Sequence, residues 1–305
     1  MPDAARNMYG DDEPDMLQEE LTTYSQSRAL KHLIAQVHDL AVLPHVVFKV
    51  LELSSSTDNP TADIESAITI DPGFSSKVLI LANSASTALP RKVLSIKEAV
   101  MFLGYKAVRQ LAMTVGIYDM FVGKNDRDSL RRRAWWRHSV DTAVCAKYLA
   151  EHTGKMPGDD AYTCGLLHYI GKSLLERFGE ADYKHVEEMV LFGIKDYKAE
   201  EAIYGCNHVE VSVAAARKWG LAEELISGLD YTTPPLDDDP LRCHRACTAL
   251  ATQIATLAVE GNVFTEDTLH CLPAWAMETM GLQSDQAGKI VSGGMAAITN
   301  MKVQL

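Results

Sequence analysis

The chain has 305 residues, 47% of them hydrophobic and 23% charged, which is enough apolar material for a packed core in one large domain or two modest ones. Its 41 acidic and 29 basic residues give a formal charge of -12, which argues against a general nucleic-acid or anionic-membrane binder, since both need basic surface. No run reaches the roughly 18 apolar residues of a membrane span, the opening MPDAARNMYGDDEPDM has no apolar signal core, and none of the six cysteines forms a Cys-x-x-Cys pair. A cytoplasmic protein with free thiols is therefore expected.

Taken in chain order, residues 1–16 are acidic and read as a mobile tail, and 17–38 are polar but compatible with a helix. Asp71 before Pro72 predicts a helix start, because the carboxylate accepts a free amide and proline suits the first helical position. Phe74, Val78 and Leu81 then share a face, and Asn83-Ser84 end the run. Ser95 and Glu98 have capping-box spacing and open a helix carrying Ala99, Val100 and Leu103 that stops at Gly104. A helix over 130–151 places Trp135, His138, Thr142 and Cys145 near one stripe. One continuous helix is predicted over 161–177, across Gly165 and Gly171. Two more, over 209–219 and 221–229, are split at Gly220. Residues 232–240, TTPPLDDDP, break the pattern. An Ala- and Leu-rich core helix follows over 241–259, then helices over 267–280 and 283–301. No strand alternation is evident.

Several clusters admit two readings. Cys243, His244 and Cys247 could share one helical face around a metal, but buried small residues explain the cysteines better. Asp237-Asp238-Asp239 lacks the ligand spacing of a calcium loop and reads as an exposed turn. Arg131-Arg132-Arg133 with Trp135-Trp136-Arg137 is the densest basic-aromatic cluster. It could receive an acidic partner or a phosphate, although in a helix these residues cannot all face one way.

Two sets of residues resemble the HDOD domain family. The first is Leu43-Pro44, the run from Asp71-Pro72 to Asn83-Ser84, and the run from Ser95 to Leu103-Gly104, similar to the family's N-terminal helical half. The second is Trp136-Arg137-His138-Ser139, then Gly165 through His168-Tyr169 to Gly171-Lys172, then Glu200, Gly205-Cys206-Asn207-His208 and Trp219. It resembles the half related to HD and HD-GYP phosphohydrolases. Together they cover about 29–233. The resemblance implies an all-α fold, an HD-like helical bundle with a smaller N-terminal helical subdomain. The division it implies is a tail and leading helix over 1–28, an N-terminal half over 29–125, an HD-like half over 126–233, and C-terminal helices over 234–305 packed on the HD-like half.

The hydrolytic relatives hold one or two divalent metals with histidines and an adjacent His-Asp pair. The matching histidines here are His138, His168 and His208, but the companion aspartate is replaced by Tyr169. A phenol with an ordinary pKa near 10 is neutral and offers one oxygen, so it neither bridges metals nor holds a metal-bound hydroxide as a carboxylate does. The relatives' paired histidines fall at Thr232-Thr233, and their later aspartate falls at Cys247 in Ala246-Cys247. Two-metal hydrolysis is therefore expected to be absent.

The leading expectation is a non-catalytic bacterial signal-transduction module that binds signalling proteins, with a nucleotide as a further ligand and no cofactor. The alternative is a divergent metal-dependent phosphohydrolase in which His138, His168 and His208 hold a divalent transition metal. A third reading has the vacated cleft bind a nucleotide. The candidate ligand- or partner-binding residues are Tyr169, Lys172, Glu200 and Arg137. For two of these a plainer role is also expected: Lys172 as a solvated lysine near a helix end and Glu200 as a helix-start acid.

Overall fold

The computed structural model describes residues 28–36, 47, 49–50, 60–70, 72–84, 89–122, 129–259, 265–282 and 284–302. The expectations for the tail over 1–16, for the helix-compatible stretch before residue 28, for Leu43-Pro44 and for Asp71 as a cap lie outside these residues. Among the described residues the fold is all-α, with no strand. No helix among them is long and apolar enough to cross a membrane.

A leading helical segment, 28–36, precedes α1 (Pro60–Thr69), α2 (Pro72–Ala82), α3 (Ile96–Leu103) and α4 (Tyr105–Val122). On α2, Phe74 and Val78 of the expected face are buried, Leu81 is half-buried against the same cluster, and Ala82 is buried beside them. The link from α2 to α3 is pinned by Asn83, whose amide donates to the Val93 carbonyl and whose oxygen accepts the Val93 N–H, both at 2.8 Å. Ser95 caps α3 by accepting the Glu98 amide, as the spacing predicts. The reciprocal bond differs: the Glu98 carboxylate accepts the amide of Leu94, one residue upstream of the cap.

The larger bundle is organised by α5 (Ser129–Thr153). One side of α5 puts Trp136, Val140 and Ala143 into a hydrophobic cluster shared with α1–α4, so the two halves share a core. The other side puts Cys145, Ala146, Leu149 and Ala150 into a second cluster with the C-terminal helices. Burying each large aliphatic side chain of this kind contributes about 1.5–3 kcal/mol. The remaining helices are α6 (Gly158–Leu167), α7 (Ile170–Phe178), α8 (Lys184–Leu191), α9 (Asp196–Tyr204), α10 (His208–Lys218), α11 (Glu223–Leu229), α12 (Arg242–Val259), α13 (Glu266–His270), α14 (Ala274–Thr279) and α15 (Ser284–Lys302). Both α12 and α15 pack on α5.

Two predicted helices are interrupted. The segment over 161–177 breaks at His168-Tyr169, which form a turn between α6 and α7. Two close approaches explain the geometry. A Cβ on Gly165 would lie 2.6 Å from Ala143 Cα, so α6 lies backbone to backbone on α5. A Cβ on Gly171 would lie 2.0 Å from the His208 carbonyl, so α7 lies equally close to α10. The second break, between α13 and α14, follows from Pro273, which has no amide to donate and disfavours a helical residue before it.

Candidate functional site

His138 lies mid-way along α5, His168 and Tyr169 in the α6–α7 turn, and His208 at the first position of α10. The placement of His208 is set locally. Asn207 caps α10 in a capping box with Glu210, and Glu200 on α9 accepts the His208 backbone amide at 2.8 Å. The Glu200 carboxylate thus sits at the N-terminal end of α10, where a negative charge is favoured.

The three histidines come together around Tyr169. The Tyr169 ring stacks on His138 with centroids 4.7 Å apart, lies 4.1 Å from His168, and meets His208 edge-on at 5.2 Å. The Lys172 ammonium sits 4.2 Å from the Tyr169 ring centroid, a cation–π contact. Lys172 is buried and ion-paired with Asp196, the first residue of α9. It is therefore not the solvated lysine expected from its sequence position, because the helix end it occupies faces the bundle. Burial disfavours its ammonium, but Tyr169, Asp196 and Glu200 more than offset this and raise its pKa. Burial also pushes Tyr169 up to about 12, so it is a neutral phenol.

Glu200 acts as a helix-start acid for α10 and not for its own helix: it lies in the second turn of α9, fully buried, with one oxygen accepting from the His208 amide and from His208 Nδ1 at 2.6 Å and the other from the Tyr183 hydroxyl. The first-turn acid of α9 is Asp196. Burial alone would raise the Glu200 pKa, but His208, Lys172 and Tyr183 reverse this and lower it.

The free edges of the imidazoles are met by hydroxyls that the sequence did not single out. His168 Nδ1 donates to the Gly165 carbonyl at 2.7 Å, which leaves Nε2 as an acceptor. Thr252 on α12 lies 3.1 Å from that Nε2 and 2.9 Å from His138 Nε2. A threonine hydroxyl has one proton to give, so the assignment consistent with these partners runs from His138 N–H to Thr252 oxygen, and from Thr252 O–H to His168. The His208 Nε2 meets the Tyr231 hydroxyl at 2.7 Å. Burial, with Lys172 next, holds His138 down at about 3, and burial carries His168 well below its ordinary value.

This donor set does not fit a divalent metal as folded. The His168 lone pair is taken by Thr252, the His208 Nε2 is engaged by Tyr231, and the Tyr169 ring packs against all three imidazoles. Among the described residues no group of three or more His, Cys, Asp or Glu side chains is placed to hold a metal ion, the Cys243–His244–Cys247 group included.

Arg137 stands apart from this cluster in its contacts, paired with Asp141 at 3.4 Å along α5. The basic run before it is largely spent inside the chain. Arg131 pairs with Glu176 at 2.7 Å and Glu187 at 2.6 Å, and buried Arg132 pairs with Glu176 at 3.2 Å. Trp136 is buried and Trp135 packs edge-on against Tyr183. Asp239 caps the turn before α12 by accepting the Leu241 amide.

An all-helical bundle with histidines converging from α5, the α6–α7 turn and α10 is the arrangement of the HD-like class, and the comparisons agree. The HDOD domain model matches residues 40–235, and the chain belongs to that family, which is related to the HD phosphohydrolases. An uncharacterized protein of Treponema pallidum is 27% identical over 194 residues, covering 62% of this chain but 37% of that longer protein. An HDOD domain protein of unknown function from Geobacter sulfurreducens superposes with a TM-score of 0.73 at 23% identity, covering 92% of this chain and 97% of the other. A Shewanella amazonensis protein provisionally named a phosphohydrolase gives a TM-score of 0.68 at 24% identity over 88% of this chain and 98% of the other. A Marinobacter aquaeolei protein provisionally named a signal transduction protein gives 0.69 at 20% identity, over 92% of this chain and 63% of the other. At these identities the likeness is one of fold.

Proposed function

We propose that this protein is a non-hydrolytic regulatory module that acts by binding signalling proteins, its HD-like centre serving as a structural hub. The observation that carries this is the satisfaction of the three histidines by the chain itself. Thr252 links His138 to His168, Glu200 and Tyr231 engage the two nitrogens of His208, and a neutral phenol stands in place of the metal-bridging carboxylate. Water activation for phosphoester cleavage needs a metal-bound or base-activated hydroxide. Here the nitrogens that would supply ligands are engaged in hydrogen bonds between helices. The test is elemental analysis of purified protein, together with phosphodiester hydrolysis in the presence of manganese, iron, nickel or zinc. We expect neither stoichiometric metal nor turnover above the buffer blank. Turnover that disappears in His168→Ala would overturn the proposal and reinstate a metal-dependent phosphohydrolase.

A further inference from the structure

We propose that the outer face of α3 and the loop leading into it is a docking site for an acidic amphipathic helix of a partner protein. This rests on the regulatory reading above and names the chemistry of the partner. Leu94, Met101 and Phe102 are 81%, 75% and 43% exposed. Phe102 and the Leu94 backbone are tied into one surface network, and Met101 lies beside Phe102 in the same turn of α3. The Arg91 guanidinium lies 5.1 Å from the Phe102 ring centroid and pairs with Glu98 at 3.1 Å, and the same carboxylate holds the Leu94 amide at 2.8 Å. Lys97 and Met101 are one turn apart on α3.

Charge identifies the occupant. Residues 72–110 contain six basic residues and one acidic residue, Glu98, in a chain whose formal charge is -12. Arg109 is buried against Asp159, but Arg91, Lys92, Lys97 and Lys106 are exposed. A short apolar strip with cations around it fits a helix carrying leucines along one face and carboxylates beside them, and methionine adapts to such partners. A bilayer fits less well. It is an extended anionic plane and would confront the acidic remainder of the surface, whereas a single helix covers only the patch. Nucleic acid would leave Leu94 and Met101 without an apolar counterpart.

The probe is a labelled designed peptide of about 18 residues, with leucines at i, i+3, i+4 and i+7 and glutamates elsewhere, read by fluorescence anisotropy against the whole chain. A scrambled peptide of the same composition is the comparison. We expect binding of the patterned peptide alone, weakened by at least about tenfold in Lys92→Glu/Lys97→Glu and in Met101→Ser. Lys184→Glu/Lys195→Glu, which makes the same charge change on exposed residues of and beside α8, should bind as wild type. Circular dichroism and melting establish that each variant is folded. No binding, equal binding of the scrambled peptide, equal loss in the α8 variant, or tighter binding to vesicles with about 30 mol% phosphatidylserine or to duplex DNA would each overturn the proposal. A negative result here leaves the non-hydrolytic reading untouched, and phosphodiester turnover would remove that reading whatever the peptide does.

Discussion

Replacing Thr252 by valine keeps the shape of the side chain and removes one hydroxyl. That oxygen lies 2.9 Å from His138 Nε2 and 3.1 Å from His168 Nε2, so the substitution orphans a donor on one ring and an acceptor on the other. Leaving a buried polar group without its partner costs about 1–3 kcal/mol. The loss at His138 falls at the lower end, because Thr142 Oγ1 stands 3.4 Å from the same nitrogen. The loss at His168 falls at the upper end, because that residue is fully buried and its other nitrogen is committed to Gly165. A total of about 4 kcal/mol follows, or a fall in Tm of about 6 °C for a chain of 305 residues. Urea unfolding reads the free energy, and long-range nitrogen–proton NMR of the imidazoles reads the His168 tautomer. Thr252→Ser should recover most of the loss. A valine variant within about 0.5 kcal/mol of wild type, or a serine variant as damaged as valine, would refute the proposed bridge.

Three further outcomes are expected. Burial and then Lys172 hold His138 at about 3, and burial carries His168 well below its ordinary value, so both rings stay neutral in the fold while the unfolded chain protonates them below about 6.5. Stability is then full above about pH 6.5 and falls as the pH drops below it, by up to about 2.7 kcal/mol per pH unit for two protons. Asp196 and Glu200, whose folded pKa values are lowered, add a further loss near pH 4. Equal urea midpoints at pH 7.5 and 5 would contradict this, and His138→Gln should remove about one proton from the slope. Lys172→Met leaves the Asp196 carboxylate without its partner and should cost about 2–3 kcal/mol, less than for a fully buried pair because Asp196 is 32% exposed. Adding Asp196→Leu should recover part of that cost in a double-mutant cycle. Gly171→Ala places a methyl 2.0 Å from the His208 carbonyl and should cost about 2–4 kcal/mol by forcing α7 from α10, read as a lower Tm.

Much of the fold was legible because periodic apolar patterning and capping chemistry are local. The α2 face, the Ser95 cap, the breaker over 232–240 and the core helix α12 all form. The break at His168-Tyr169 was not legible, since it depends on how closely α6 approaches α5 and α7 approaches α10, and glycines within an apolar run are compatible with a straight helix. Pro273 was a readable signal of the α13–α14 break that an apolar pattern on both sides concealed. At the site, the motifs give the three histidines and Tyr169, and the fold brings them within ring-contact distance. Their partners come from elsewhere. Asp196 lies 24 residues beyond Lys172, and Thr252 lies 84 residues beyond His168. The line Thr248, Thr252 and Thr256 on one side of an Ala-rich helix was the available hint. Thr248 and Thr256 return their hydroxyls to their own helix, while Thr252 sends its hydroxyl outward to the rings.

Thr252 stands beyond residue 235, where the match to the family ends. The segment that the family model matches therefore does not finish this centre, and a later helix supplies the missing atom. A fragment cut at that boundary would keep all three rings yet open them to solvent, and a water or a cation could then take the vacated position. The chemistry attributed to an isolated domain of this kind would depend on where the scissors fell.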